Sequence, residues 1–136
     1  MIPSRDELVE AYDFYARRHD LEAKAKRSLH PIPLPLVANQ GAIDGALAAA
    51  SELVSSGGSE VAACIYAFTR FPKCFPMTLY GFAGVIAMNV ARTNGLRLSA
   101  SAEDLKEVMQ RVRYDHAPFE LVEEWVRERV FDVDGD

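Results

Sequence analysis

The stretch that decides the fold is AACIYAFTRFPKCFPMTLYGFAGVIAMNVARTNG, residues 62–95. It predicts a helix over 60–70, a loop with two prolines, and a second helix that ends at Asn94-Gly95, where positive φ is tolerated. No charged residue occurs over 74–91. Because a helix that is apolar on every side is the buried kind, we predict a buried central helix at about 78–93. The loop that precedes it is the natural place for a site.

Length, composition and charge narrow the class of protein. The 136 residues fit a single domain, 1–136, with one hydrophobic core. The net charge of −5 argues against nucleic acid as a partner, because phosphate contacts need a positive surface. Residues 103–136 carry five basic and eleven acidic side chains, and we expect 131–136 to form a frayed acidic tail.

The cysteine content favours a reduced compartment, and the uncharged run does not predict a membrane span. Cys64 and Cys74 are too few for a disulfide framework, and no Cys/His spacing matches a zinc site. The charged N-terminus is unlike a signal peptide. Two glycines, a proline and an asparagine interrupt the uncharged run, and no flanking charge asymmetry supports membrane insertion. We predict a cytoplasmic protein without metal, cofactor or membrane partner.

Helix caps divide the rest of the chain. Ser4-Arg5-Asp6-Glu7 is a capping box, Ser59 is an N-cap for 60–70, and Ser101-x-x-Asp104 opens another helix. Charged residues 20–29 either extend the first helix or form a separate turn. Together with the apolar stripes below, these caps predict an all-α class, a compact bundle of about six helices.

Apolar spacing predicts two further helices, and prolines predict an extended segment between helices. Helical stripes run over about 40–54 and over a last helix that buries Phe119 to Val130 on one face. The prolines within 30–35 predict an extended connector. Residues 96–98 read as a short extended link, and no convincing strand is present.

The order and spacing of these elements resemble the Fic/Doc (death-on-curing) family, in its short Doc-like branch, over about residues 4–130. In that family the loop and the following helix start carry H-P-F-x-D-G-N-K-R-T-A. Counted back from Asn94-Gly95 without gaps, this pattern falls on 73–83, where only Phe75 and Ala83 match. The resemblance therefore implies a Doc-like scaffold with a degenerate active-site motif.

The substitutions remove the chemistry that the resemblance implies. Lys73 stands where the family has its catalytic histidine, and lysine at its reference pKa of about 10.4 is a poor base near neutral pH. Met77 stands where the family has an acidic metal ligand, and a thioether does not bind magnesium. Residues 79–81, Leu-Tyr-Gly, stand where the family has the Asn-Lys-Arg that hold phosphates.

The loop nevertheless offers candidates for ligand binding. Arg70 and Lys73, together with the helix start at Thr78 and Tyr80, predict an anion site supported by backbone N–H groups and the helix dipole. The alternative is that Arg70 and Lys73 are surface cations. Thr78 is otherwise a plain N-cap, and Tyr80 is otherwise a core tyrosine with a satisfied hydroxyl.

Lys73 and Cys74 are the catalytic candidates. Lys73 and the helix start would favour a Cys74 thiolate, whereas free cysteine is also common as a small buried hydrophobe. His19, His30 and His116 are scattered and read as surface or loop residues.

Two hypotheses follow. The first is a non-catalytic or divergent Doc-like protein, either of the toxin–antitoxin type or a module that binds a ligand or a protein; the resemblance implies an antitoxin-like or other protein partner. The second is an enzyme with replaced chemistry that acts on an anionic or phosphorylated substrate through Lys73 or Cys74 with Arg70. The sequence leaves the presence of enzyme activity open.

Overall fold

The computed structural model describes residues 2–30 and 32–133, and it confirms the all-α class. The described residues form seven α-helices: α1 (Arg5–Arg18), α2 (Leu21–Lys26), α3 (Gln40–Ser55), α4 (Glu60–Arg70), α5 (Leu79–Thr93), α6 (Ala102–Asp115) and α7 (Phe119–Arg127). A 3-10 turn, Pro72–Cys74, lies between α4 and α5. Strands β1 (Leu96–Leu98) and β2 (Val130–Asp132) pair antiparallel, with Arg97 opposite Phe131.

The predicted caps are present as hydrogen bonds. Ser4 Oγ accepts from the Glu7 N–H at 3.2 Å and Glu7 Oε1 accepts from the Ser4 N–H at 3.1 Å, which completes the box. Ser101 and Asp104 form the same reciprocal pair at the start of α6. Ser59 Oγ accepts from a first-turn N–H of α4. These bonds satisfy backbone donors that every helix start leaves without an intrahelical partner.

Helix α4 lies at the centre of the molecule. Its buried residues are Val61, Ala62, Ala63, Cys64, Ile65, Ala67, Phe68 and Thr69. It packs against α3, α5, α6 and α7. The alanines let neighbouring helices approach closely, and the larger side chains fill the space between them.

Helix α5 corrects the prediction of a helix buried on every side. Its bounds lie within one residue of the predicted 78–93, but only one side of it is buried. Val85 is 37% exposed and Met88 is 36% exposed. Apolar composition alone did not show that α4 is the buried helix and α5 the half-exposed one, because apolar side chains also cover much of a protein's surface.

The C-terminal region also differs from the prediction. Val130 was expected on the last helix and Phe131 and Asp132 in a frayed tail, but all three form β2. The pairing extends beyond the strands, since the Ser99 N–H donates to the Arg129 carbonyl at 2.7 Å. Three-residue strands are too short to show a period of two in sequence. Residues 134–136 of the expected tail lie outside the described residues.

The charged segment after α1 forms a separate helix, α2. Asp20 interrupts the first helix with a left-handed backbone, φ 50°. Of the extended connector that follows, Pro31 lies outside the described residues, and Leu36 and Ala38 are buried. Across residues 2–30 and 32–133, no helix is both long enough and apolar enough to cross a bilayer.

The central position of α4 predicts that truncating an apolar side chain on α4 lowers the stability of the protein more than truncating one on the exposed side of α5. Ile65 on α4 is 0% exposed, and Ile65→Ala should lower the free energy of unfolding by about 2–5 kcal/mol. Val85→Ala on the exposed side of α5 should change it by less than about 1 kcal/mol. Urea unfolding of both variants in dilute solution measures the difference. Equal losses would contradict the central placement of α4.

Candidate functional site

The loop between α4 and α5, residues 71–78, is held to the core by aromatic packing. The Phe75 ring lies 5.0 Å from the Tyr12 ring of α1 and 4.6 Å from the Phe82 ring of α5, between centroids. The Tyr12 hydroxyl donates to the Met77 carbonyl and accepts from the Met77 N–H, both at 3.2 Å. Helix α1 therefore fixes the second half of the loop.

The first half of the loop is fixed by α3. The Asn39 N–H donates to the Cys74 carbonyl at 2.8 Å. The Asn39 side chain accepts from the Ala42 N–H and so caps α3. The loop is thus tied at two points to different helices. These two contacts fix the position of the start of α5.

Cys74 lies in the core. It is 0% exposed, and burial raises the pKa of its thiol to about 11. Burial likewise raises the pKa of Cys64, to about 12, with the charge of Glu60 as a smaller cause. A protonated, inaccessible thiol is a poor nucleophile, so these observations favour the alternative that Cys74 is a small buried hydrophobe.

Arg70 and Lys73 do not converge on the start of α5. The Arg70 guanidinium turns back along α4, donates to the Tyr66 hydroxyl at 3.0 Å, and lies 5.4 Å from the Tyr66 ring centroid. Lys73 is exposed on the 3-10 turn. Neither side chain lines the groove that contains Thr78 and Tyr80.

A groove of about 550 Å³ lies at the start of α5, and we call it the basic groove. Its cations come from α6: Lys106 and Arg113 line it, seven residues apart and therefore on one helical face. The remaining lining residues are Tyr15, Pro72, Phe75, Pro76, Met77, Thr78, Leu79, Tyr80 and Gly81. No Asp, Glu or His belongs to this lining.

Thr78 occupies the N-cap position of α5 but does not cap it. Its backbone is left-handed, φ 55°, and its hydroxyl donates to the Met77 carbonyl at 2.7 Å. The expected N-cap role is therefore wrong: the side-chain oxygen does not receive a first-turn N–H. The helical ladder begins with the Phe82 N–H on the Thr78 carbonyl, so the N–H groups of residues 79–81 are left for solvent or a ligand.

Left-handed backbone is unfavourable for threonine, since its branched Cβ crowds the backbone. Such conformations cost roughly 1–3 kcal/mol and concentrate at functional sites. Gly81, one turn later, has a different constraint. A Cβ on Gly81 would lie 2.7 Å from the Tyr15 hydroxyl oxygen, so only glycine lets Tyr15 come this close to the start of α5.

Tyr80 and Arg113 form the polar centre of the basic groove. The Arg113 Nη1 lies 3.5 Å from the Tyr80 hydroxyl oxygen, and the guanidinium carbon lies 5.2 Å from the centroid of the Tyr114 ring. The pKa of Tyr80 is raised, first by partial burial and then by Tyr114, while Arg113 opposes the rise. The Tyr80 hydroxyl therefore keeps its proton at neutral pH and can donate it in a hydrogen bond.

Lys106 and Arg113 were absent from the sequence prediction. Their spacing shows that they share a face of α6, beside the buried stripe of Leu105 and Met109. It does not show that this face borders the start of α5, because that depends on how α5 and α6 pack. Within the described residues, no group of three or more His, Cys, Asp or Glu side chains is arranged to hold a metal ion.

Comparison of the chain with protein-family models, with curated proteins and with solved structures gives no significant match. The resemblance to the Fic/Doc family therefore stays a prediction.

Burial of both cysteines predicts slow thiol modification. In the native protein at pH 8, a disulfide reagent such as DTNB should react with neither Cys64 nor Cys74 on the timescale of a small free thiol, because burial keeps both thiols protonated until the pH approaches about 11. After denaturation, both should react at once. Rapid labelling of Cys74 in the folded protein, located by mass spectrometry, would restore it as a nucleophile candidate.

Proposed function

We propose that this protein is a non-catalytic binding module that takes a small, multiply charged anion, such as a phosphate-bearing molecule, in the basic groove. The observation that carries the proposal is the lining of that groove. Lys106 and Arg113 line it together with the residues at the start of α5, and no acidic side chain belongs to the lining. A cytoplasmic setting is part of the same proposal.

The charge of the groove contrasts with that of the whole chain. The protein has a net charge of −5, and the groove beside α1 formed with residues 36–38 is lined by Asp6, Glu10 and Asp13. An acid-free lining with two cations is therefore a local feature. A concave surface of one sign concentrates the field there and attracts ions of the opposite sign.

Neutral donors complete the anion site. The Thr78 side chain does not cap the first-turn N–H groups at 79–81, and the dipole of α5 favours negative charge at this end. The Tyr80 hydroxyl accepts from Arg113 Nη1 at 3.5 Å and so helps to position the guanidinium. Arginine suits oxyanions because its planar guanidinium presents two parallel N–H groups.

The same lining supports binding without catalysis. General acid–base catalysis most often uses histidine or a carboxylate within hydrogen-bond reach of the substrate, and neither residue type lines the basic groove. The alternative enzyme would need Lys73 or Cys74 at one surface with Arg70. Cys74 lies in the core and Arg70 is bound to Tyr66, so these positions favour the binding module.

The Doc-like scaffold, its toxin–antitoxin context and a protein partner remain part of the proposal. What supports them is the order and spacing of the elements over 4–130, with a loop and a long helix in the corresponding places. The loss of the family's catalytic pattern over 73–83 agrees with a module that binds and does not transfer a group.

If the basic groove is the anion site, removing a cation of the groove should weaken anion binding more than removing a cation of the neighbouring loop. By isothermal titration at low salt, wild type should bind pyrophosphate, and Arg113→Gln should weaken this binding roughly tenfold or more, because a hydrogen bond to a charged group contributes about 1.5–3 kcal/mol. Lys106→Gln should act in the same direction. Arg70→Gln and Lys73→Gln remove the same charge from the neighbouring loop and should weaken the binding less than either groove variant, since these cations lie outside the groove.

Melting temperatures control for folding in all four variants. Affinity should fall with added salt. Unchanged affinity in Arg113→Gln together with loss in Lys73→Gln would move the site to the loop and support the lysine-centred alternative. Absence of pyrophosphate binding by wild type at low salt would refute the anion site itself.

A further inference from the structure

The two cations of the basic groove lie at different places along α5. Arg113 Nη1 lies 3.5 Å from the Tyr80 hydroxyl oxygen, in the first turn of α5. Lys106 follows Leu105, whose Cδ1 would lie 3.5 Å from a Cβ atom on Gly84. Residue 84 is one helical turn beyond residue 80. Helix α6 therefore passes the start of α5 near Arg113 and the second turn of α5 near Lys106.

The spacing of the two cations exceeds the size of one phosphate group. Seven residues of α-helix rise about 10 Å, so the Cα atoms of Lys106 and Arg113 are about that far apart. Arg113 is also held by two aromatic rings: its guanidinium carbon lies 6.0 Å from the centroid of Tyr80 and 5.2 Å from that of Tyr114. These contacts keep the guanidinium at the start of α5.

Neither cation is neutralised by an acidic side chain. Across residues 2–30 and 32–133, Lys106 and Arg113 form no ion pair with an Asp or Glu. Both residues are exposed. An anionic group bound at one of them would therefore leave the other without a counter-charge, and a ligand with two separated anionic groups would satisfy both.

The rest of the lining is largely apolar. Three of its side chains carry a hydroxyl, namely Tyr15, Thr78 and Tyr80. The others, apart from the glycine, are Pro72, Phe75, Pro76, Met77 and Leu79. The volume of about 550 Å³ is within the range of roughly 300–1,000 Å³ that is typical of pockets for organic ligands. An inorganic phosphate would leave most of this space and its apolar lining to water.

We propose that the ligand of the basic groove is an elongated organic molecule with two anionic groups, separated by an apolar stretch of about 10 Å. This inference rests on the proposed anion binding and names the class of ligand. A phosphate at one end binds Arg113 and the first turn of α5, because the planar guanidinium suits an oxyanion. The anionic group at the other end binds Lys106, whose ammonium is a compact point charge. The apolar stretch leaves water for the apolar lining, which stabilises the complex.

The spacing is tested by isothermal titration with alkane bisphosphonates of increasing length. The probes carry one, four, eight and twelve methylene groups between the two phosphonates, and octylphosphonate is the control with a single anionic group. Wild-type affinity should rise about tenfold or more from one methylene to eight, because only the longer compound pairs with both cations. Twelve methylenes should bring no further gain, although that compound is more apolar.

Charge-removing variants assign each end of the ligand. Arg113→Gln should weaken the eight-methylene bisphosphonate and octylphosphonate alike, since both place a phosphonate at the start of α5. Lys106→Gln should weaken the bisphosphonate several times more than octylphosphonate, since only the bisphosphonate reaches this residue. Arg111→Gln is the matched control, because Arg111 is an exposed cation of α6 outside the groove; the dependence on length should persist. Melting temperatures control for folding in all three variants.

The possible failures are distinguishable. If affinity is highest for the one-methylene compound, or if Lys106→Gln weakens octylphosphonate as much as the bisphosphonate, both cations hold one group; the elongated ligand is then wrong and the anion site stands. Affinity that rises through twelve methylenes and is unchanged in Lys106→Gln would indicate hydrophobic binding alone and would also overturn the proposal. If neither pyrophosphate nor any phosphonate binds wild type at low salt, the proposed function itself is wrong.

Discussion

Burial of α4 on nearly every side is the constraint on which the rest of the structure depends. A helix surrounded by four others needs small side chains where those helices come close, and Ala62, Ala63 and Ala67 meet this need. The chain must then leave the core where α4 ends. It does so through the 3-10 turn at Pro72–Cys74, which keeps Cys74 inside and turns Lys73 outward.

The position of the candidate site follows from how the chain returns to the core. Phe75 packs against Tyr12 and Phe82, and the Tyr12 hydroxyl holds the backbone of Met77. These contacts set the start of α5 opposite the Lys106–Arg113 face of α6. The positive groove is thus a consequence of helix packing. The left-handed Thr78 leaves the first turn of α5 without a cap from its own sequence.

Local features were predictable from sequence. The caps at Ser4, Ser59 and Ser101 follow from side-chain chemistry within four residues, and the structure has all three. The pairing of β1 with β2 was not predictable, because it joins three-residue segments more than thirty residues apart. The residues of the candidate site also fall into those that local sequence predicts and those that depend on helix packing. Thr78 and Tyr80 were placed at the start of α5 by local pattern, whereas Arg113 reaches the groove only through the packing of α6 on α5. Arg70 does not line this groove, because its side chain turns back to Tyr66, and proximity in sequence does not show which way a long side chain turns.

We propose that cations of α6, and not those of the loop, make the start of α5 an anion site. The most direct measurement is a titration of the ¹⁵N-labelled protein with pyrophosphate, followed by NMR of backbone amides and arginine side chains. If the anion binds in the basic groove, the largest shifts should occur at the amides of residues 79–81 and at the Arg113 guanidinium. Shifts confined to Arg70 and Lys73, or no saturable shift at low salt, would contradict it.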